Sequence, residues 1–90
     1  MADDIGEPIE LATEREVFAK VLSIGQQEFY QAQATGLKPE IKFEIADYLD
    51  YEDEKELIYE SKIYQVLRTY RKGSIALEIT VYGGVNIASS

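Results

Sequence analysis

The stretch Glu40-Ile41-Lys42-Phe43-Glu44-Ile45 decides the fold of this chain. Apolar and charged side chains alternate strictly along it, and successive side chains of a β-strand point to opposite faces of a sheet. Ile41, Phe43 and Ile45 are therefore expected to face a core, while the charged residues face outward. The pattern predicts a strand that is buried on one face, in a mainly β protein.

Similar patterns lie on both sides of this strand. Strands are predicted over residues 16–22, 57–60, 63–71 and 75–81, with turns at Ser61-Lys62 and at Lys72-Gly73. About five strands joined mostly by short links favour antiparallel pairing in a small β-barrel. The predicted core includes Ile41, Phe43, Ile45, Val66, Leu77 and Ile79.

One segment, residues 23–39, interrupts the series of strands and is called the insertion below. Ser23 and Gln26 have the spacing of a capping box, which satisfies free amides in the first turn of a helix. Gly36 stands where a left-handed residue often ends a helix, and Pro39 follows it. The pattern predicts a short helix over residues 25–35, or a long loop, between the first two strands. It is expected either to cover one end of the barrel or to project as a contact element.

The chain of 90 residues is short enough to predict a single domain. We expect an extended acidic arm over residues 1–14, the barrel over residues 15–82 and a short tail over residues 83–90. Every apolar run is far shorter than the roughly 20 residues of a membrane span, and the acidic start lacks the basic and apolar regions of a signal peptide. These features predict a protein of a cytoplasm-like compartment with no membrane contact.

Acidic residues outnumber basic ones by 17 to 9, and the formal net charge is -8. Such a chain is not expected to be a general nucleic-acid binder, because neutralising phosphates requires clustered lysine and arginine. The acids concentrate in residues 1–16 and in residues 47–60, which we call the acidic segment. Both runs are expected to be exposed surface, and neutralising Asp50, Glu52, Asp53 and Glu54 together is expected to leave the fold intact.

The composition offers little for catalysis. The chain has no histidine and no cysteine, which removes the usual general base near neutral pH, the thiol nucleophile and the commonest metal ligands. The acidic segment also departs from a calcium loop, because Lys55 stands in place of the turn glycine and Ser61 occupies the twelfth position. We therefore expect a protein that is not an enzyme and needs no metal or cofactor.

Seven tyrosines and no tryptophan are present. Most of the tyrosines lie at strand positions, where a half-buried aromatic ring fits the pleated surface. Tyr48 and Tyr51 lie in the acidic segment instead, and tyrosine offers a large rigid contact surface with a polar tip. The predicted partner contacts are Tyr48, Tyr51, Asp50, Glu52 and Asp53.

Several segments together resemble bacteriophage head closure proteins, which are also called head-to-tail joining or connector stopper proteins. The likeness covers roughly residues 15–82. It is carried by Phe18-Ala19-Lys20-Val21, Ser23 to Gln33, Gly36-Leu37-Lys38-Pro39, the strand Ile41 to Ile45, Asp47-Tyr48, the hairpin Tyr59 to Tyr64 and Val66 to Tyr70. The combination is specific, although no single segment is.

The resemblance implies a structural virion protein of the head-tail connector, made in the host cytoplasm. Such a protein assembles as a homo-oligomeric ring between the portal or adaptor proteins and the tail, closes the DNA channel after packaging and joins the head to the tail. An acidic surface would let the genomic DNA pass without specific binding. Family members carry a further strand ahead of the region that matches Asp4 to Pro8, so the barrel is expected to lack an edge strand or to borrow one from a neighbour.

By the same likeness, the insertion projects toward the channel lumen. The implied channel-closure and oligomer contacts are Ser23, Gln26, Gln27, Glu28, Phe29, Tyr30, Gln33, Gly36, Lys38 and Pro39. Phe29 is expected to anchor the insertion on the barrel, while Glu28, Tyr30 and Gln33 are expected to be free for contacts. Two alternatives stay open: another neck component, such as an adaptor or a tail terminator, and an acidic DNA-mimic inhibitor.

Overall fold

The computed structural model describes residues 6–11, 15–34 and 36–87 of the chain. Its strands are β1 (Glu7–Leu11), β2 (Glu16–Leu22), β3 (Pro39–Ile45), β4 (Glu56–Tyr59), β5 (Lys62–Lys72) and β6 (Ala76–Asn86). One α-helix, α1 (Gln26–Gln33), lies between β2 and β3, and a single turn of 3-10 helix covers Tyr48–Asp50. All neighbouring strands are antiparallel, and they form a closed barrel in the order β1-β2-β3-β6-β5-β4. The predicted fold class, a small antiparallel β-barrel with one short helix, is confirmed.

The strand count differs from the sequence-based expectation, because β1 lies inside the segment predicted as an extended arm. Ile9 and Leu11 are each only 1% exposed, whereas Pro8 and Glu10 between and beside them are exposed. Two apolar residues among acidic ones are a weak sequence signal for a strand. In the structure, however, their side chains complete the barrel core. β1 pairs with β2 along most of its length and with β4 at two positions. The barrel therefore closes within one chain, and the helix follows the second strand, not the first.

The barrel interior is filled by side chains from every strand. Phe43, Ile45, Leu77 and Ile79 are buried as predicted, while Ile41 and Val66 are partly buried and pack against this core. The rings of Phe43 and Tyr59 meet edge to face, with centroids 5.0 Å apart. The remaining buried core residues are Ile9, Leu11, Ala19, Leu57, Tyr64 and Val81.

The β4–β5 hairpin turns at Glu60-Ser61, one residue earlier than predicted. Both residues have positive φ, 51° for Glu60 and 64° for Ser61. This combination belongs to a type I′ turn, whose twist matches the right-handed twist of the two strands. Neither residue is a glycine or asparagine, so the hairpin pairing holds them in a conformation that their side chains disfavour.

The last strand continues past Gly83-Gly84, where the sequence pattern predicted a tail. The register between β5 and β6 shifts near this point, so that the two glycines lie opposite Tyr64. Gly83 has φ of 68°, and a Cβ on Gly84 would collide with the Tyr64 ring. The glycine pair therefore forms a β-bulge under an aromatic ring, and β6 reaches Asn86.

Candidate functional site

A row of three polar side chains crosses the outer wall of the barrel. Lys42 on β3 and Arg68 on β5 are both register partners of Thr80, which lies between them on β6. The neighbours of Thr80 along the strand, Ile79 and Val81, point into the core, so Thr80 points outward. We call Lys42, Thr80 and Arg68 the cradle.

The cradle holds the carboxylate of Glu28 from α1. Lys42 Nζ donates a hydrogen bond to Glu28 Oε1 at 2.9 Å. Arg68 Nη2 and Thr80 Oγ1 each donate to Glu28 Oε2 at 3.1 Å. One carboxylate of the inserted helix therefore bridges three strands of the barrel.

This contact buries polar groups that strand alternation alone would leave in water. Thr80 is only 2% exposed, although it faces outward, and the Glu28 side chain is 13% exposed. Burial by itself would raise the pKa of Glu28, but the hydrogen bonds from Lys42, Arg68 and Thr80 outweigh it and lower the pKa to about 2. The hydrogen bond to Glu28 likewise raises the pKa of Lys42 against the effect of desolvation. Both partners are charged at neutral pH.

The ion pairs continue along the same wall of the barrel. Lys42 lies 3.6 Å from Glu78, and Lys72 lies 3.5 Å from Glu44 and 3.6 Å from Glu78. Glu44 and Glu78 are direct register partners, and like charges in this position repel unless cations bridge them. With Glu28 and Arg68 included, three acids and three bases form a network without net charge. An open groove of about 460 Å³ runs beside it, between α1 and Tyr70.

The structure corrects the expected role of one residue in the insertion, Glu28. Glu28, predicted to be free for contacts, is the residue that anchors α1, because its carboxylate reaches the cradle. Phe29, predicted to be the anchor, is half-buried, and the core and the side chains packed against it do not include its ring. Its ring instead meets the edge of Tyr30, with centroids 6.3 Å apart.

The other predicted residues of the insertion fall into two groups. Exposed positions, which are open to a partner, are Ser23, Gln26, Gln27, Tyr30, Gly36 and Lys38. Pro39 is buried and begins β3, so it belongs to the barrel. Gly36 has the left-handed backbone that the sequence predicted, with φ of 82°. The side chain of Gln33 lies outside the described part of the structure.

The part of the acidic segment that joins β3 to β4, residues 47–55, lies at the end of the barrel opposite α1, because it follows β3 whereas α1 precedes that strand. Asp50, Glu52 and Asp53 are exposed, as predicted for partner contacts. Tyr48 and Tyr51 are half-buried and pack against the core. These two rings therefore close the end of the barrel.

Contacts around the two tyrosines order the acidic segment. The guanidinium of Arg71 lies 3.7 Å from the ring centroid of Tyr48. The Tyr51 hydroxyl donates to the backbone carbonyl of Glu54, and the side chain of Asp47 accepts from the amide of Leu49. These contacts hold the backbone that carries the exposed acidic side chains.

Glu54 departs from the prediction of an entirely exposed acidic run. Its side chain is 3% exposed, and its carboxylate accepts hydrogen bonds from Arg15 at 3.1 Å and from the amide of Glu52 at 2.7 Å. Burial opposes ionisation, but the backbone and Arg15 hydrogen bonds together lower the pKa of Glu54. The prediction that all four acids are exposed is therefore wrong at Glu54. Neutralising Asp50, Glu52, Asp53 and Glu54 together would remove the ion pair between the buried Glu54 carboxylate and Arg15, and we expect it to cost stability.

Glu28 was among the site residues predicted from the sequence, whereas Lys42, Arg68 and Thr80 were not. Each of these lies at an outward position of a predicted strand, where a polar side chain is ordinary. Their meeting depends on the strand order, which places β6 between β3 and β5, and on the register. The insertion did indicate that such a contact exists, because a short polar helix is unstable unless it packs against another part of the protein. The sequence did not indicate which residues form it.

The described residues offer no other obvious chemistry. Within residues 6–11, 15–34 and 36–87, no group of three or more acidic, histidine or cysteine side chains is arranged to hold a metal ion. The helix in this part of the chain is too short and too polar to cross a membrane. Comparisons with protein-family models, with curated proteins and with solved structures give no match.

Proposed function

We propose that this chain is a structural protein of a bacteriophage neck, which assembles as a ring, closes the DNA channel after packaging and joins the head to the tail. The observation that carries the proposal is the attachment of α1 to a closed barrel through the single carboxylate of Glu28. A closure element has to stay on its own subunit before assembly and rearrange when neighbours arrive. A short helix whose hydrogen bonds to a closed barrel all come, among the described side chains, from one carboxylate meets both requirements. The resemblance of several segments to head closure proteins supports the same role.

The filled interior of the barrel supports a ring of subunits. Phe43, Ile79 and Val81 are fully buried inside it, so DNA has no path through a single subunit. A channel for DNA must therefore lie between subunits, around a common axis. Head-to-tail contacts that repeat around an axis close into a ring. The exposed side chains of Gln27 and Tyr30 are then available to neighbouring copies.

The distribution of charge also fits a channel for DNA. The chain carries a net charge of -8, and the three basic residues of the network are matched by its three acids. DNA is therefore repelled by the surface as a whole and finds no free basic patch in the network. The acidic segment at the far end of the barrel is available to the portal, adaptor or tail proteins.

The experiment is complementation of a phage that lacks this gene. The double variant Gln27→Ala, Tyr30→Ala changes exposed positions of α1 and leaves the cradle intact. We expect it to yield DNA-filled heads that lose their genome or fail to accept tails, counted by electron microscopy. Thr69→Ala, an exposed change on β5, is the matched control and should restore normal virions.

Three outcomes separate the proposal from its competitors. Normal virions from the double variant would remove α1 from the closure step. Heads that contain no DNA in the absence of the gene would point to a different neck component, such as an adaptor. Infectious, tailed particles in the absence of the gene would contradict a role in the neck altogether.

A further inference from the structure

The cradle is a built binding site whose present occupant is not part of the barrel. An ammonium, a guanidinium and a hydroxyl converge on the two oxygens of one carboxylate, at 2.9 to 3.1 Å. Thr80 is 2% exposed and the Lys42 side chain is 16% exposed, so two of the three donors are shielded from water. All three donors are carried by strands whose positions the barrel sets.

The occupant, by contrast, has few other attachments. Within the part of the chain that the structure describes, every hydrogen bond between an α1 side chain and the barrel ends on Glu28. Gln26, Gln27, Tyr30 and Gln31 are exposed. Residues without regular structure flank the helix on both sides, and glycine is among them at Gly25 and Gly36. Loss of this carboxylate contact would therefore remove every hydrogen bond that the described α1 side chains make to the barrel, and would leave the helix with the packing of half-buried Phe29.

We propose that the cradle is a recognition site for a carboxylate side chain of a partner segment, which Glu28 occupies in the isolated chain and which an aspartate or glutamate of the partner takes over when α1 moves away. Departure of Glu28 without replacement would leave Lys42 and Arg68 without their shared acid. An incoming carboxylate restores the same hydrogen bonds, so exchange costs far less than simple opening. The exchange frees α1 for contacts elsewhere, whatever the role of the protein in a virion.

The charge of the surrounding network identifies the ligand. Three acids and three bases form the complete network, so removal of Glu28 leaves a net charge of one positive unit. Glu78 and Glu44 remain beside the cradle and repel a ligand with two negative charges. The site therefore favours a carboxylate, with its single charge and two oxygens, over a phosphate dianion or a nucleic-acid backbone.

Competition with Glu28 sets a further requirement on the partner. A tethered group acts at an effective concentration in the millimolar range, so a free carboxylate alone cannot displace it at low concentration. A partner segment must add contacts of its own. Tyr70, which is 65% exposed next to the cradle, supplies an aromatic surface for them.

The test uses acetate as the probe and the full chain with the cradle emptied by Glu28→Ala. At neutral pH and about 0.5 M acetate, we expect the Tm of this variant to rise about 4 °C more than in equimolar chloride, beyond the general stabilisation that an excluded anion gives any folded protein. Backbone amide signals of Lys42, Arg68 and Thr80 should shift with acetate in the same variant. The wild-type protein gives the size of the general effect of acetate and should respond less than Glu28→Ala, because acetate reaches its cradle only by displacing Glu28.

The control is the double variant Glu28→Ala, Lys42→Met, which should lose the response to acetate. Equal effects of acetate and chloride on Glu28→Ala, or an unchanged response in the double variant, would overturn the proposal and mark any binding as an adventitious ion only. If Glu28→Ala does not fold, Glu28→Gln keeps the volume of the side chain, and the same criteria apply to it. Sedimentation velocity then tests a second copy as the source of the carboxylate: self-association of the acetate-responsive variant that Lys42→Met abolishes indicates a second copy, and a monomer excludes it.

Discussion

Lys42 Nζ lies 2.9 Å from Glu28 Oε1 and joins the only α-helix in the described part of the chain to the wall of the barrel. The second oxygen of the same carboxylate accepts from Arg68 and Thr80. A helix of eight residues is too short to be stable without packing, so its stability is coupled to this one contact. A change that weakens this contact is therefore expected to destabilise α1.

Replacing Glu28 with glutamine should release α1 while the barrel stays folded. A neutral amide cannot form the ion pairs with Lys42 and Arg68, and we expect the free energy of unfolding to fall by on the order of 2 kcal/mol. Chymotrypsin should then cut at Phe29 or Tyr30 faster than in the wild type. Gln26→Ala, an exposed change on the same helix, is the control. Equal cleavage rates in the two variants would show that Glu28 does not hold the helix.

The contribution of Glu28 to the free energy of unfolding should also depend on pH. Its pKa is about 2 in the folded protein and 4.5 without the fold, so the unfolded chain binds the proton more tightly. The stabilisation is complete above pH 4.5 and is lost as the pH falls toward 2. After allowance for screening at half-exposed Arg68, it amounts to on the order of 2 kcal/mol.

The check is a comparison of urea unfolding for the wild type and Glu28→Gln. Their difference in the free energy of unfolding should be constant between pH 5 and 7 and should shrink between pH 4.5 and 2. Glu54, whose pKa is also lowered, contributes equally to the free energy of unfolding of both proteins, so its contribution cancels in the difference. A difference that stays constant down to pH 2 would contradict the assignment.

Phe43→Ala should cost about 3 to 5 kcal/mol and unfold much of so small a domain. Phe43 is completely buried and meets the edge of the Tyr59 ring, so its removal leaves a cavity in the barrel centre. Phe18→Ala is the matched control, because Phe18 is 50% exposed. The effect of each substitution is measured as a change in melting temperature. An unchanged value for Phe43→Ala would mean that the barrel interior is assigned to the wrong face.

Within the acidic segment, Glu54 should differ sharply from its neighbours. Glu54→Gln weakens the contacts with Arg15 and with the amide of Glu52, and should cost about 1 to 3 kcal/mol. Asp53→Asn is the control, because Asp53 is exposed and asparagine tolerates its positive φ of 62°. The free energy of unfolding of both variants is measured by chemical denaturation. If Glu54→Gln and Asp53→Asn had similar free energies of unfolding, the contacts of Glu54 would not stabilise the protein.

Gly84→Ala should destabilise the protein by about 1 to 3 kcal/mol, because the new methyl group would meet the buried ring of Tyr64. Gly25→Ala is the control, since the nearest atom to its new Cβ would be 3.9 Å away. Thermal unfolding measures the difference. A Gly84→Ala protein as stable as the wild type would show that Tyr64 can leave its position without cost.

The sequence alone was sufficient for the fold class and for part of the core. Alternation in residues 40–45 and 75–81 identifies one buried face, because side chains of a strand point to opposite sides of a sheet. Phe43, Ile45, Leu77 and Ile79 were predicted in this way and are buried. Local backbone signals were also readable, as at Gly36. The missed strand, β1, has only Ile9 and Leu11 to mark it.

The candidate site was decided by tertiary structure. Lys42, Thr80 and Arg68 are far apart along the chain, and each looks like an ordinary outward residue of its own strand. Strand order and register bring them into one row, and only then can a carboxylate of α1 bind all three. Periodicity in a sequence reports which face of a strand is buried, but it carries no information about which strands become neighbours. The anchoring role of Glu28 and the burial of Glu54 are therefore properties of the folded barrel.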